Sequence, residues 1–295
     1  MAGVFPALTT QIRQDQSLDL VATARHLEAV LASGVHGLVV CGSLGENQTL
    51  EADEKRQVVV NSVKVAGGNV PVIAGVAETS TAGAIKYVRD CAKLGAAGFM
   101  VMPPMVYRPD AGEATAYFRS VAGATDLPLM LYNNPIAYTV DVTPEKLGEY
   151  CDIPNLKAIK ESSGDPRRIT EIRLALGDRL ALFAGVDDLI LESSILGIDG
   201  WVSGSGIAFP EENQRLWNLM RAGKWDEARK LYRWCAPLMK LDTNPKFVQY
   251  IKLMVQEAGL GAEWVRLPRQ PLADAERERI LGVIRKGLET RPMAR

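Results

Sequence analysis

Short apolar runs alternate along the chain with longer stretches in which apolar positions recur at helical spacing. The short runs are Val4 to Thr9, Leu38 to Val40, Val70 to Val76, Phe99 to Val101, Leu127 to Tyr132, Leu156 to Lys160, Leu180 to Ala184, and Trp201 with Val202. Their length and nearly continuous apolar character predict eight strands buried on both faces. Helical patterns lie between them: Leu18 to Ser33, Ala52 to Ala66, Thr79 to Leu94, Gly112 to Ala124, Pro144 to Tyr150, Pro166 to Leu176 and Asp187 to Leu196. Thr79, Thr143 before Pro144, and Asp165 before Pro166 are the predicted helix caps. Three strands share an entry signal, Gly34-Val35-His36-Gly37, Gly95-Ala96-Ala97-Gly98 and Gly197-Ile198-Asp199-Gly200. The first glycine suits a left-handed helix end and the second a tight strand entry.

Eight strands alternating with helices indicate an α/β fold, the (β/α)₈ barrel. A doubly wound open sheet is the main alternative, and no Gly-x-Gly-x-x-Gly follows the first strand to support it. Beyond Phe209-Pro210 the strand pattern stops. Leu216 to Arg221, Trp225 to Lys240, Lys246 to Ala258 and Ala273 to Leu288 read as helices, with a linker at Leu267 to Pro271. The expected division is a barrel over residues 1–222 and a C-terminal helical extension over 223–295.

A net charge of −1 gives no basic field for nucleic acid or a membrane surface, and no apolar run is long enough to span a bilayer. Cys41, Cys91, Cys151 and Cys235 are scattered and the N-terminus lacks a signal-peptide pattern, which together point to reduced thiols in a cytoplasmic protein. The only histidines, His26 and His36, are not in metal-ligand spacing and read as structural. The expected chemistry therefore needs no metal and no organic cofactor.

Candidate chemistry collects at the C-terminal ends of the strands, where barrel active sites lie. Alternation places Lys160 on the same inward face as Ala158, and Tyr132 on that of Met130. A desolvated lysine is a nucleophile toward carbonyl carbon, and a phenol on the neighbouring strand can exchange protons with it. The turn Cys41-Gly42-Ser43-Leu44-Gly45-Glu46-Asn47 is either a backbone cradle for a carboxylate or a tight helix-capping turn.

Ser43-Leu44-Gly45-Glu46, Tyr132-Asn133-Asn134-Pro135 and Lys160-Glu161-Ser162-Ser163-Gly164 resemble, in order and along essentially the whole chain, the motifs of the dihydrodipicolinate synthase/N-acetylneuraminate lyase family. The resemblance implies a lysine-imine (class I) barrel enzyme. Lys160 would form the imine with a 2-oxo acid, Tyr132 would shuttle protons, and Ser43 with the Leu44 N–H would hold the carboxylate. It also implies a homotetramer built as a dimer of dimers. Val202, Ala137 and Tyr138 are the further expected substrate contacts.

Three positions differ from the synthase pattern. Leu44 replaces a second threonine, Ile136-Ala137-Tyr138 supplies no arginine, and Val106, one step before Tyr107, stands where a tyrosine is lent to a neighbouring subunit. Together with Gly3 to Gln11, Val40 to Asn47 and Phe183 to Asp188, they make the chain resemble the Δ1-pyrroline-4-hydroxy-2-carboxylate deaminases of hydroxyproline breakdown. That resemblance implies conversion of the cyclic imine to 2,5-dioxopentanoate and ammonia. The alternatives are a 2-keto-3-deoxy sugar acid aldolase or dehydratase, or a dihydrodipicolinate synthase-like lyase, each using the same lysine imine. A binding regulator that has lost turnover would have no need of Lys160, Tyr132 and Ser43 together.

Overall fold

A computed structural model describes residues 2–104 and 107–292. Val106 therefore lies outside the described residues. The eight strands are β1 Gly3–Val4, β2 Leu38–Val40, β3 Val72–Val76, β4 Gly98–Val101, β5 Leu129–Asn133, β6 Leu156–Glu161, β7 Ala181–Ala184 and β8 Gly200–Trp201. All pair in parallel, in the order β1-β8-β7-β6-β5-β4-β3-β2. Hydrogen bonds from Val39 N to Pro6 O and from Leu8 N to Val39 O join the first segment to β2 and close the barrel.

The first strand is shorter than the apolar run Val4 to Thr9 because Pro6 has no N–H to give the ladder. Pairing resumes beyond it, with Ala7 N donating to Ser203 O at 2.7 Å. The double-glycine repeats do two jobs. Gly34, Gly95 and Gly197 have φ of 81°, 95° and 91° at the ends of the preceding helices, where a side chain would be strained. Gly37 and Gly200 instead admit bulk. A Cβ on either would lie 2.2 Å from the ring of Phe5 or Phe183, and these two rings pack edge to face inside the barrel, 5.3 Å apart.

The helices between strands are α1 Leu20–Ala32, α2 Ala52–Ala66, α3 Thr81–Lys93, α4 Ala111–Ala122, α5 Pro135–Tyr138, α6 Pro144–Leu147, α7 Arg167–Leu176 and α8 Ile190–Ile195. Two caps differ from expectation. Ser80, not Thr79, caps α3 by accepting from Gly83 N. Pro166 occupies the cap of α7, while Asp165 accepts from Arg167 N one step earlier. The stretch from Asp187 begins as a 3₁₀ turn, Asp187–Leu189, since its carboxylate is turned inward to bind backbone. The short helix α5 was not expected. Pro135 at its first position and the Asn134 side chain, accepting from Ala137 N at 3.0 Å, start it.

The extension consists of α9 Pro210–Arg221, α10 Trp225–Met239, α11 Phe247–Glu257 and α12 Asp274–Glu289. Helix α9 starts at Pro210, six residues before the expected Leu216, because proline fits a first helical turn. Buried ion pairing ties the extension to the barrel. Lys252 of α11 pairs with Glu46, both fully buried, and Arg266 makes a two-pronged contact with Glu54 at 2.8 and 2.9 Å. Both histidines are structural. His26 is buried against Ile207 O, and His36 Nδ1 accepts from Val4 N. Among the described residues no helix is long and apolar enough to cross a membrane.

Candidate active site

Strand β6 carries Lys160 to the mouth of the barrel, where its side chain is only 7% exposed. Gly185, just past β7, leaves it room: a Cβ there would sit 2.4 Å from Lys160 Cε and 2.1 Å from Ser162 Oγ. Burial lowers the pKa of the amine, opposed by the nearby Tyr138, Asp242 and Asp187. Lys160 has no ion-pair partner among the described residues, so the amine is not committed to a structural bridge.

Tyr132 stands directly across the ladder from Lys160. Both side chains face inward as alternation predicts, but what Tyr132 presents to the amine is its ring, not its hydroxyl. Lys160 Nζ lies 4.0 Å from the centroid of the Tyr132 ring, and the Tyr132 hydroxyl accepts from Asn134 Nδ2 at 3.2 Å. Burial raises the Tyr132 pKa, so it is a proton-bearing phenol at neutral pH. Tyr138, expected as a further substrate contact, is drawn into this group. Its ring packs edge to face on Tyr132 at 5.5 Å, and its hydroxyl contacts Ser43 Oγ. Burial also raises the Tyr138 pKa.

The Ser43 turn follows β2. Cys41 and Glu46 take left-handed backbone angles, φ 53° and 60°, which bend the chain around Ser43, Leu44 and Gly45. Among the described residues the amides of these three donate no hydrogen bond, while the flanking Glu46 and Asn47 amides bond back to Ser43 O and Gly42 O. Successive N–H groups left without an acceptor in a turn of this kind favour an anion. The turn is rigid: Thr10 Oγ1 donates to Gly45 O at 2.8 Å, and Asn47 Nδ2 donates to Cys41 O and Gly75 O. The Leu44 side chain is buried in the core.

The structure thus brings Ser43, Tyr132, Tyr138 and Lys160 together. Val202 is buried at the end of β8, with its N–H bonded to Ala184 O. Ala137 is exposed on α5, its N–H spent on Asn134. Tyr107 is 57% exposed in this single chain.

Two acids at the mouth were not expected as site residues. Asp187 is fully buried and accepts from Trp201 Nε1 at 2.9 Å, Gly204 N at 3.1 Å and Ser205 N at 2.6 Å, which fixes the loop after β8. Asp242 comes from the 3₁₀ turn Lys240–Thr243 in the extension. Its carboxylate packs on Gly204, where a Cβ would lie 2.6 Å from Oδ1. Burial, then the neighbouring Asp187, push its pKa up to about 8, against the pull of Lys160. The one sequence signal for Asp242 is the break between two helical patterns at Leu241-Asp242-Thr243-Asn244-Pro245. Among the described residues no group of three or more His, Cys, Asp or Glu is placed to hold a metal ion.

Comparison with known proteins places this geometry in context. A sequence model described as the dihydrodipicolinate synthetase family matches residues 1–286. A 4-hydroxy-tetrahydrodipicolinate synthase of Methanothrix thermoacetophila is 33% identical over 288 residues, covering 96% of each chain. Two crystal structures superpose closely. A putative dihydrodipicolinate synthetase from Pseudomonas aeruginosa gives a TM-score of 0.91 at 29% identity, covering 97% of this chain and 99% of its own. A dihydrodipicolinate synthase from Acinetobacter baumannii, complexed with pyruvate, gives 0.90 at 28% identity, covering 97% and 98%.

Proposed function

The chain belongs to the dihydrodipicolinate synthetase family and is a lysine-imine (class I) lyase of it, and we propose that Lys160 forms the imine with C2 of a 2-oxo acid or cyclic imine carboxylate. The observation that carries this is the buried Lys160 amine, without an ion-pair partner among the described residues, beside the Tyr132 ring; Tyr138 packs on that ring and through its hydroxyl reaches Ser43 of the turn. Ser43 and the Leu44 N–H hold the carboxylate, which presents C2 to Nζ. The protonated imine then draws electrons from C3, whose proton passes to Tyr132 as the phenol gives up its own proton to the neighbouring hydroxyls. Tyr138 and Ser43 continue the proton path toward the turn. The catalytic unit is the barrel of residues 1–222, completed by the extension, in a homotetramer.

The names of the relatives support a synthase-type lyase condensing pyruvate with a second carbonyl compound, ahead of hydroxyproline breakdown. One observation favours Δ1-pyrroline-4-hydroxy-2-carboxylate deaminase as a second reading. Position 137 offers a short exposed alanine, and α5 presents no guanidinium for a second carboxylate. In that reaction Lys160 displaces the ring amine from C2, the C4 hydroxyl leaves as water after C3 gives up its proton, and hydrolysis frees ammonia and 2,5-dioxopentanoate. A side-by-side assay separates the readings. Pyruvate-dependent condensation with an aldehyde supports the synthase; ammonia release from the hydroxypyrroline carboxylate supports the deaminase.

A further inference from the structure

Helix α5 is a single turn, and an isolated helical turn is not stable in water. None of its residues is fully buried, and Ile136 is 77% exposed, so packing on the core does little to place it. Thr139, which ends it, takes φ 63°, a left-handed angle that a β-branched residue holds only where the surrounding structure fixes it. Polar anchors do the fixing. At the entrance the Asn134 side chain accepts from Ala137 N at 3.0 Å and donates to the Tyr132 hydroxyl at 3.2 Å. At the exit the Asp141 carboxylate takes a two-pronged contact from Arg168 of α7, at 2.6 and 2.7 Å. Asn133, buried at the end of β5, braces the same exit. Its Nδ2 donates to Asp141 Oδ1 at 3.3 Å and to Glu161 Oε2 at 3.0 Å, and its Oδ1 accepts from Val142 N at 2.9 Å.

Within the imine reading, on which this rests, we propose that Arg168 is a positioning residue: by gripping Asp141 it fixes the exit of α5 and so holds the Tyr138 hydroxyl at Ser43, where the buried Tyr132 phenol passes its proton toward water. Tyr132 is only 6% exposed, whereas Tyr138 and Ser43 are half-buried at the mouth. The Tyr138 ring packs on Tyr132 and its hydroxyl contacts Ser43, so it spans the gap between the buried phenol and the turn. Tyr138 is the last residue of α5, with Thr139 and Val140 between it and Asp141. A drift of the exit therefore carries its hydroxyl off Ser43. Arg168 touches no reacting atom. It ties α5 to α7, and α7 is reached directly from the strand of Lys160 through Glu161 to Pro166. Nucleophile and proton path are thus held on one frame.

The chemistry of the pair suits that duty. A guanidinium forked onto both carboxylate oxygens fixes direction as well as distance, which a single ammonium contact does not. The Arg168 guanidinium also holds the Asp141 carboxyl below its ordinary range, so the pair stays charged at neutral pH. Asn133 cannot take over the task. Its contact with Asp141 is the longer one, and the same Nδ2 serves Glu161.

The test uses the full-length protein and pyruvate in deuterium oxide. Loss of the pyruvate methyl signal by proton NMR reads proton traffic at C3, and borohydride trapping on Lys160 reads imine formation separately. Arg168→Gln, Tyr138→Phe and the two together make a double-mutant cycle. Arg168→Gln is expected to slow exchange about 10²-fold, the cost of misplacing a catalytic group by about 1 Å, while the Lys160 adduct still forms. Tyr138→Phe is expected to lose at least as much, and the double variant no more than Tyr138→Phe alone. Asp141→Asn should match Arg168→Gln, and Arg168→Lys should recover part of the exchange. An Arg168→Gln loss that recurs in full on Tyr138→Phe, or that takes the adduct with it, shows a merely structural role and overturns the proposal. Parent-level exchange in Arg168→Gln or in Tyr138→Phe overturns it too. If the parent itself gives no adduct, the imine reading falls and the Arg168 role with it; a parent that forms the adduct and exchanges, beside variants that behave like it, overturns the Arg168 role alone.

Discussion

Replacing Lys252 with methionine should destabilise the fold and loosen the Ser43 turn at once. Lys252 Nζ and the Glu46 carboxylate are both fully buried, in a pair that bridges α11 to the turn. Removing one member of a buried pair typically costs about 3–5 kcal/mol, because the survivor is left as an unpaired charge. Glu46 would keep the Arg266 N–H at 2.8 Å and Arg269 at 3.7 Å, so the lower end, about 3 kcal/mol, is expected. For a domain of this size that is a fall in Tm of about 6 °C, from roughly 2 °C per kcal/mol. The turn would shift with its anchor, and a displacement of order 1 Å in a carboxylate cradle can cost about 10²-fold in rate. Differential scanning calorimetry reads the first effect, and the rate of borohydride trapping with pyruvate reads the second. Adding Glu46→Gln removes the orphaned charge and should recover at least half of the lost stability. A single variant that melts with the parent, or a double variant no better than the single, would refute the view that this pair holds the turn.

Tyr132→Phe should lower turnover about 10²–10⁴-fold, measured as steady-state kcat; an unchanged kcat removes the phenol from the chemistry. Gly185→Ala should nearly abolish imine trapping with fold retained by circular dichroism, because its Cβ would collide with Lys160 Cε and Ser162 Oγ. His26 sets an acid dependence of stability. Burial holds its imidazole down at about 4 in the fold, whereas the unfolded chain titrates near 6.5. The contribution is therefore complete above about pH 6.5 and is lost as pH falls toward 4, at up to about 1.4 kcal/mol per pH unit. Urea titrations across that range should show the slope in the parent and lose it in His26→Gln.

Most of the barrel is written in its apolar runs, since a strand covered on both faces has few choices of residue. The period of two was enough to turn both Tyr132 and Lys160 inward on neighbouring strands, and the ladder then sets them opposite one another. What sequence could not supply was contact between elements far apart in the chain. Tyr138 was expected as a substrate contact, and the start of α5 at Pro135 in addition swings its ring onto Tyr132 and its hydroxyl onto Ser43. Asp242 shows only as a break between helical patterns, because its neighbours Gly204 and Asp187 lie on barrel loops tens of residues away. The ends of β1 and β8 were misjudged for a simpler reason: hydrogen bonding continues past the regular strand where proline interrupts the ladder.

The central claim is a covalent imine on one lysine. Borohydride reduction in the presence of pyruvate, followed by peptide mass spectrometry, tests it directly. The account predicts a single stable adduct on Lys160 that is absent from Lys160→Ala. No adduct, or an adduct on another lysine that persists in that variant, would contradict it.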